Sequence, residues 1–139
     1  MEMSEALEWA SKRKYGILIT IRADGRPQSS DIVYALEDSK FLISVTEHRA
    51  KVGNMRRDSR VTLHLSDPES WTYLSFAGTV ELLPATRAID DLTNDALVDY
   101  YQLLTEEGHS DWMQYRQAMI AEGRLLVKFS PVSVVGQMN

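Results

Sequence analysis

The sequence predicts a mostly β protein, a six-stranded antiparallel barrel with helical insertions, built as one domain over residues 1–139. Three observations carry this reading. Six segments have the β-branched content or the two-residue alternation of strands. The first three of them, and later the fourth and fifth, are joined by links too short for the helical crossovers of a parallel sheet. A chain of 139 residues that is 44% apolar has the size and composition of a single compact core.

Ser4 to about Lys14 reads as a short helix, with Ser4 placed to cap it and Leu7 and Ala10 on one side. Tyr15 to Arg22 is the first strand, and Asp24-Gly25 after it is a strong turn signal. Gln28 to Leu36 and Phe41 to Val45 complete a three-strand meander around the polar turn Glu37-Asp38-Ser39. Arg49 to Asp58 lacks strand alternation and contains good helix formers, so it reads as a short helix loosened at Gly53.

Arg60 to Ser66 sets Val61, Leu63 and Leu65 against Thr62, His64 and Ser66, and Asp67-Pro68 turns the chain. Trp71 to Leu83 is long enough for a bent strand, with a bulge or sharp coil expected at Gly78. From Thr86 to Leu104, Ile89, Leu92, Ala96, Tyr100 and Leu103 recur at helical spacing. A further helix begins after Ser110 as N-cap, runs through Trp112, Tyr115 and Met119, and closes at Gly123. The last strand, Arg124 to about Gly136, carries Pro131, which suits an edge or a bulge.

Composition excludes several chemistries. The chain has no cysteine, so disulfides, thiolate nucleophiles, iron–sulfur clusters and thiolate zinc sites are ruled out. His48, His64 and His109 lack metal-ligand spacing and read as surface or packing residues. No GxSxG elbow, HExxH, Walker loop or helix-opening GxGxxG is present. Asp90-Asp91 and Glu106-Glu107 read as solvated acids. No apolar run reaches the roughly 18 residues of a membrane span, and the charged N-terminal segment lacks the apolar stretch of a signal peptide. The expectation is a cytoplasmic protein without a membrane partner.

Fifteen basic and 20 acidic residues give a net charge of −5, against the broad basic surface that nucleic-acid binding requires. Its distribution is uneven. Between His48 and Arg60, five basic residues (Arg49, Lys51, Arg56, Arg57 and Arg60) face the single acid Asp58, a local charge of +4 that leaves −9 for the remainder. Such an island suits a discrete anionic ligand. Arg49 and Lys51 stand where a strand ends and a helix begins, and a helix N-terminus beside Arg and Lys makes a phosphate site. A solvated charged surface is the alternative.

The run Ile19-Thr20-Ile21-Arg22-Ala23-Asp24-Gly25-Arg26-Pro27-Gln28-Ser29-Ser30, followed by Arg49-Ala50-Lys51, Asn54 and Arg56-Arg57-Asp58, resembles the pyridoxamine-phosphate-oxidase-like split-barrel proteins. More narrowly it is similar to the actinobacterial members that use the deazaflavin coenzyme F420. The segment from His109 to Met119 resembles the same subgroup.

The resemblance implies a homodimer of Greek-key, FMN-binding-type split barrels with two equivalent cofactor sites between subunits. It implies that Arg49 and Lys51 hold the cofactor phosphate. Gln28 and Ser30 would then lie along the ring system, with Asn54 a further candidate for the pocket. Asp31 stands where relatives can carry asparagine. Trp71 and Tyr73 begin the strand that covers the cofactor from the opposing subunit, or else serve as core or interface aromatics. Trp112, Tyr115 and Arg116 border the substrate opening or pack the helix.

The function implied is an F420-dependent oxidoreductase that passes a hydride to a small conjugated acceptor. The alternatives are an FMN-dependent oxidase or reductase, and a non-catalytic flavin or deazaflavin carrier. The missing acid–base and nucleophile motifs accord with chemistry carried by a cofactor. F420 bears a phosphate diester and an oligoglutamate tail, which gives Arg56 and Arg57 a role that FMN, needing only a phosphate clamp, does not. Tyr73 or solvent is the proton source in this scheme.

Overall fold

The computed structural model describes every residue, Met1–Asn139. Ten elements follow in order: α1 (Met3–Ser11), β1 (Tyr15–Ile21), β2 (Pro27–Glu37), β3 (Lys40–Thr46), α2 (Ala50–Arg57), β4 (Arg60–Asp67), β5 (Thr72–Leu82), α3 (Leu92–Thr105), α4 (Trp112–Ala121) and β6 (Arg124–Gln137). The succession of helices and strands is the one the sequence predicts. No helix is long and apolar enough to cross a membrane.

The strands close into one barrel in the spatial order β1-β2-β3-β6-β5-β4, with every neighbouring pair antiparallel. Because β4 returns to lie beside β1, the four strands β4-β1-β2-β3 form a Greek key. The closing seam is short: Ile17 faces His64, Leu18 faces Leu63 and Ile19 faces Thr62. Strand alternation turns Leu18, Leu63, Leu65, Leu74 and Phe76 inward, where all are at most 1% exposed. At the centre the Phe41 ring meets Tyr34, Phe76 and Phe129 with centroids 5.1, 5.0 and 5.8 Å away.

α1 covers the barrel interior with its two smallest apolar side chains, Ala6 and Ala10, both fully buried. Their size lets the helix backbone come close enough for the Tyr34 hydroxyl to donate to Ala10 O at 2.7 Å. Ser4 is not the cap. The helix starts one residue before it, and Glu2 occupies the N-cap position without a side-chain bond.

Between β2 and β3, Asp38 and Ser39 both have positive φ (50° and 65°), which gives the two-residue connection the twist a tight hairpin needs. α2 runs through Gly53 without interruption, contrary to the sequence expectation. Tertiary contacts of Val52, Asn54 and Met55, all buried, override the low propensity of one glycine.

α3 begins at Leu92, six residues after the expected Thr86. Asp91 is responsible. Its carboxylate accepts from Asn94 N as the N-cap, and also from the Thr86 hydroxyl and the amides of Arg87 and Ala88, holding residues 86–91 in a loop. Burial pushes the Asp91 pKa up, but these bonds outweigh it and hold the carboxyl below its usual value. Asp91 is therefore a structural acid rather than a solvated one. In α4 the N-cap is likewise Asp111, which accepts from Gln114 N, and not Ser110. Gly123 ends that helix with φ 65°.

A second apolar layer lies outside the barrel, where Leu97, Tyr100, Tyr115 and Met119 of α3 and α4 cover Ala35, Leu42 and Leu126 of β2, β3 and β6. On the other side of β6, the pairing with β5 slips between Ala77 and Gly78, so that Gly78 faces Pro131 and Ala77 faces Ser133, leaving Val132 as the bulge residue. A Cβ on Gly78 would stand 2.1 Å from Ser130 O. A Cβ on Gly53, by contrast, would meet nothing within 4 Å. Gly78→Ala is therefore expected to lower stability by about 1–3 kcal/mol, and Gly53→Ala to raise it by about 0.5–1 kcal/mol, both read from urea denaturation midpoints at unchanged slope.

Candidate functional site

The link from β3 to β4 must pass over the barrel, and α2 fills that passage with its N-terminus against β2. Arg49 is the N-cap residue in extended conformation, so the first amides of α2 and the Arg49 and Lys51 side chains face one region. Lys51 Nζ donates to Ser30 Oγ at 3.2 Å, bridging α2 to β2.

Two clefts flank this helix start. The larger, about 910 Å³, takes in Gln28, Ser30, Asp31, Arg49 and Lys51 on one wall and Tyr100, Tyr101, Tyr115 and Met119 on the other, with Arg124 also among its lining residues. The smaller, about 650 Å³, is lined by Arg22, Asp24, Gln28, Asn54 and Arg57. Gln28 and Ala50 border both, so the two clefts are contiguous.

The local charge of +4 resolves into individual side chains. Arg60 is neutralised by Asp58 at 2.8 Å, which holds the Asp58 carboxyl at a pKa of about 2. Elsewhere Arg13, Arg26, Arg87, Arg116 and Arg124 also carry acidic partners. Arg49, Lys51, Arg56 and Arg57 form no ion pair, and all four lie on or beside α2. Burial, and then the Arg49 and Arg124 cations, hold the Lys51 ammonium below its ordinary pKa, with Asp31 opposing. An anion entering the cleft would relieve this repulsion.

Asn54 lines the smaller cleft and is at the same time tied into the fold. It is 6% exposed, and its amide nitrogen donates to Thr20 Oγ1 at 3.1 Å and to Gln28 Oε1 at 2.9 Å. Its oxygen accepts from Arg57 at 2.8 Å. The side chain thereby fixes Gln28 and Arg57, and locks α2 to β1 and β2.

The remaining candidates disperse. Arg56 is exposed and lines neither cleft. β5 begins at Thr72 rather than at the expected Trp71, which sits in the preceding turn with φ 58°; Trp71 and Tyr73, 76% and 45% exposed, line neither cleft of the same chain. Tyr115 lines the larger cleft, but Trp112 stands behind it in an aromatic cluster with Tyr101 and His109. Arg116 is engaged with Ile89 O, Asn94 and Asp95 at 2.6, 3.3 and 2.8 Å. Tyr100, Tyr101, Met119 and Arg124 were not singled out by sequence as site residues. Arg124 reaches the cleft because β6 pairs it with Thr46, at the end of β3.

A family model described as pyridoxamine 5'-phosphate oxidase matches residues 3–136. Among solved structures, the conserved hypothetical protein Rv2991 from Mycobacterium tuberculosis superposes with a TM-score of 0.77 at 22% identity, covering 98% of this chain and 84% of that one. A structure named F420 reductase matches with a TM-score of 0.64 at 24% identity, covering 92% and 94%. HutZ, the heme storage protein from Vibrio cholerae, matches at 0.66 and 14% identity, covering 97% and 94%. At these identities the structural likenesses establish the shared fold.

Asn54→Ala is expected to lower stability by about 1–3 kcal/mol, because the Thr20 hydroxyl loses its only side-chain partner in the interior. Denaturant unfolding measures the loss, and the Gln28 side-chain amide resonances should broaden or shift in the same variant.

Proposed function

The chain belongs to the pyridoxamine 5'-phosphate oxidase family, a flavin-binding family, and on that premise we propose that it is an oxidoreductase that uses coenzyme F420 to reduce a small conjugated acceptor. One observation carries the reading: the unpaired cations Arg49, Lys51 and Arg57 are distributed over two contiguous clefts that meet at Gln28. A ligand with a single phosphate needs the first cleft only. A ligand with a phosphate and a longer anionic extension suits both.

The residues fit such a cofactor. A volume of about 910 Å³ lies within the range of small-molecule sites, roughly 300–1,000 Å³. Arg49, Lys51 and the first amides of α2 hold the phosphate, and Ser30 keeps the Lys51 ammonium turned toward β2. Gln28, its side chain fixed by Asn54, lies along the ring system, while Arg57 faces the tail and Arg56 adds long-range attraction. Bound in reduced form, a deazaflavin supplies a hydride. The protein's part is to orient donor and acceptor, an effect that can be worth about 7–11 kcal/mol, and to keep water from the apolar wall of Tyr100, Tyr115 and Met119.

FMN is the second occupant that the phosphate clamp suits, and a carrier without turnover is the non-enzymatic reading.

A second copy of the chain completes the proposal. Across β1, β4, β5 and β6, one outward face carries Tyr15, Ile17, Tyr73 and Val135, which are 68%, 36%, 45% and 66% exposed. The register sets Ile17, His64, Ser75 and Val135 side by side. An apolar sheet face of this kind is a subunit interface in the making. Asp31 and Tyr15 border both this face's shallow groove and the large cleft, so a partner seated here would bring Trp71 or Tyr73 toward the other subunit's cofactor.

Titration with FMN and with F420, followed in the visible spectrum, tests the cofactor: tight FMN binding without F420 binding would overturn the leading choice. Turnover of the reduced cofactor with a panel of enones and imines separates enzyme from carrier. Lys51→Ala is expected to cost about 1.5–3 kcal/mol of cofactor affinity while the fold is retained. Val135→Asp is expected to shift the chain to a monomer at micromolar concentration in sedimentation velocity; a monomeric parent protein would remove the interface.

A further inference from the structure

Four tyrosines line the large cleft: Tyr15, 68% exposed on β1, and three from α3 and α4 whose hydroxyls are in different circumstances. Tyr100 donates to Val33 O at 3.2 Å, and Tyr115 donates to Leu97 O at 2.9 Å. Both rings are buried, at 6% and 7% exposure, and burial raises the pKa of both phenols. These two hydroxyls are spent on the backbone and hold α3 to β2 and α4 to α3.

Tyr101 differs. It is half-buried, and its hydroxyl makes no hydrogen bond within the protein. Every fully buried side-chain nitrogen and oxygen has a partner, so this hydroxyl opens to solvent. The ring is nonetheless held on three sides, by Tyr115 at 4.9 Å, His109 at 5.5 Å and Trp112 at 5.9 Å between centroids. His109 is itself anchored, its Nδ1 accepting from Asp111 N at 2.9 Å. A phenol with a fixed ring and an unused hydroxyl on an otherwise apolar wall is a pre-oriented donor.

We infer that Tyr101 is a substrate-binding residue that donates a hydrogen bond to an acceptor oxygen, selecting planar apolar molecules that carry a carbonyl over the same molecules without one. The inference rests on the proposed function for its choice of cleft, and names the class of acceptor the cleft takes. The wall supplies stacking and apolar contact through Tyr101, Tyr115 and Met119, and a neutral donor at one point. Arg49 and Lys51 reach the cleft from the start of α2, and Tyr101 from α3, so the phosphate and the carbonyl are recognised by separate residues.

The test uses the full-length chain and a matched pair of probes, 1-tetralone and tetralin, which differ by the ketone. Dissociation constants come from saturation-transfer NMR on the parent and on Tyr101→Phe, a change that removes one oxygen and keeps the ring. The expected result is a loss of about fivefold in 1-tetralone affinity, the equivalent of one ordinary hydrogen bond, with tetralin unchanged. Equal losses for both probes would reduce Tyr101 to a packing role and overturn the inference, as would an unchanged affinity for 1-tetralone. FMN and F420 affinities of the variant are measured in parallel. A parent chain that binds neither cofactor overturns the cofactor reading alone, whereas a ketone preference that survives in Tyr101→Phe overturns the donor alone.

Discussion

The closing seam between β1 and β4 is the constraint on which the remaining architecture rests. Three residue pairs join the strands, whereas β5 and β6 pair from Tyr73–Gln137 to Leu82–Val127. Bringing β4 back to β1 obliges the chain to leave β3, cross the barrel and re-enter beside its first strand. That crossing is α2. An eight-residue helix is too short to be stable alone, so it is secured by burying Val52 and Met55 in the barrel core and by the Asn54 bridge to Thr20 and Gln28. Its N-terminus is consequently set beside β2, where Lys51 reaches Ser30.

Polar accounting explains why the cleft is cationic without being neutralised. Acidic residues are in excess over the whole chain, yet near α2 most acids are already committed, and Asp31 alone faces the cleft without an ion pair. Asp58 is bound by Arg60, Asp24 sits between Arg22 and Arg26, and Glu47 is held by Arg87, which lowers its pKa. The side chains left over are Arg49, Lys51, Arg56 and Arg57. Folding thus sorts a locally mixed sequence into paired and unpaired charges, and three of the unpaired ones, Arg49, Lys51 and Arg57, border the concave surface.

Much of the barrel is legible in the sequence because its signals are local. Val61, Leu63 and Leu65 alternate as inward residues do, Asp24-Gly25 turns the chain, and Gly78 falls where the β5–β6 register slips. Local signals also mislead where two capping residues compete. Asp91 and Asp111 captured the helix starts that Thr86 and Ser110 were expected to mark, since a carboxylate accepts more strongly from backbone amides than a hydroxyl does. In the site, the basic segment was conspicuous as a run of charge. Arg124 and Tyr101 were not, because they join the cleft through the β3–β6 register and the α3 packing, both of which are long-range pairings. The exposed Trp71 and Tyr73 carry no instruction within a single chain about what they should meet.

The barrel interior and the outer helical layer are two separate apolar clusters, one inside the strands and one between β2, β3, β6 and the helical pair. Each side of the cleft belongs to a different cluster: α2 to the first, Tyr100 and Tyr115 to the second. Substitutions that reshape α3 and α4 therefore repack against an intact barrel and leave the cationic side standing. On an evolutionary timescale this separation makes the two properties independently heritable. A lineage can reshape one side of the cleft through a single segment of about thirty residues, while the cationic side descends unaltered.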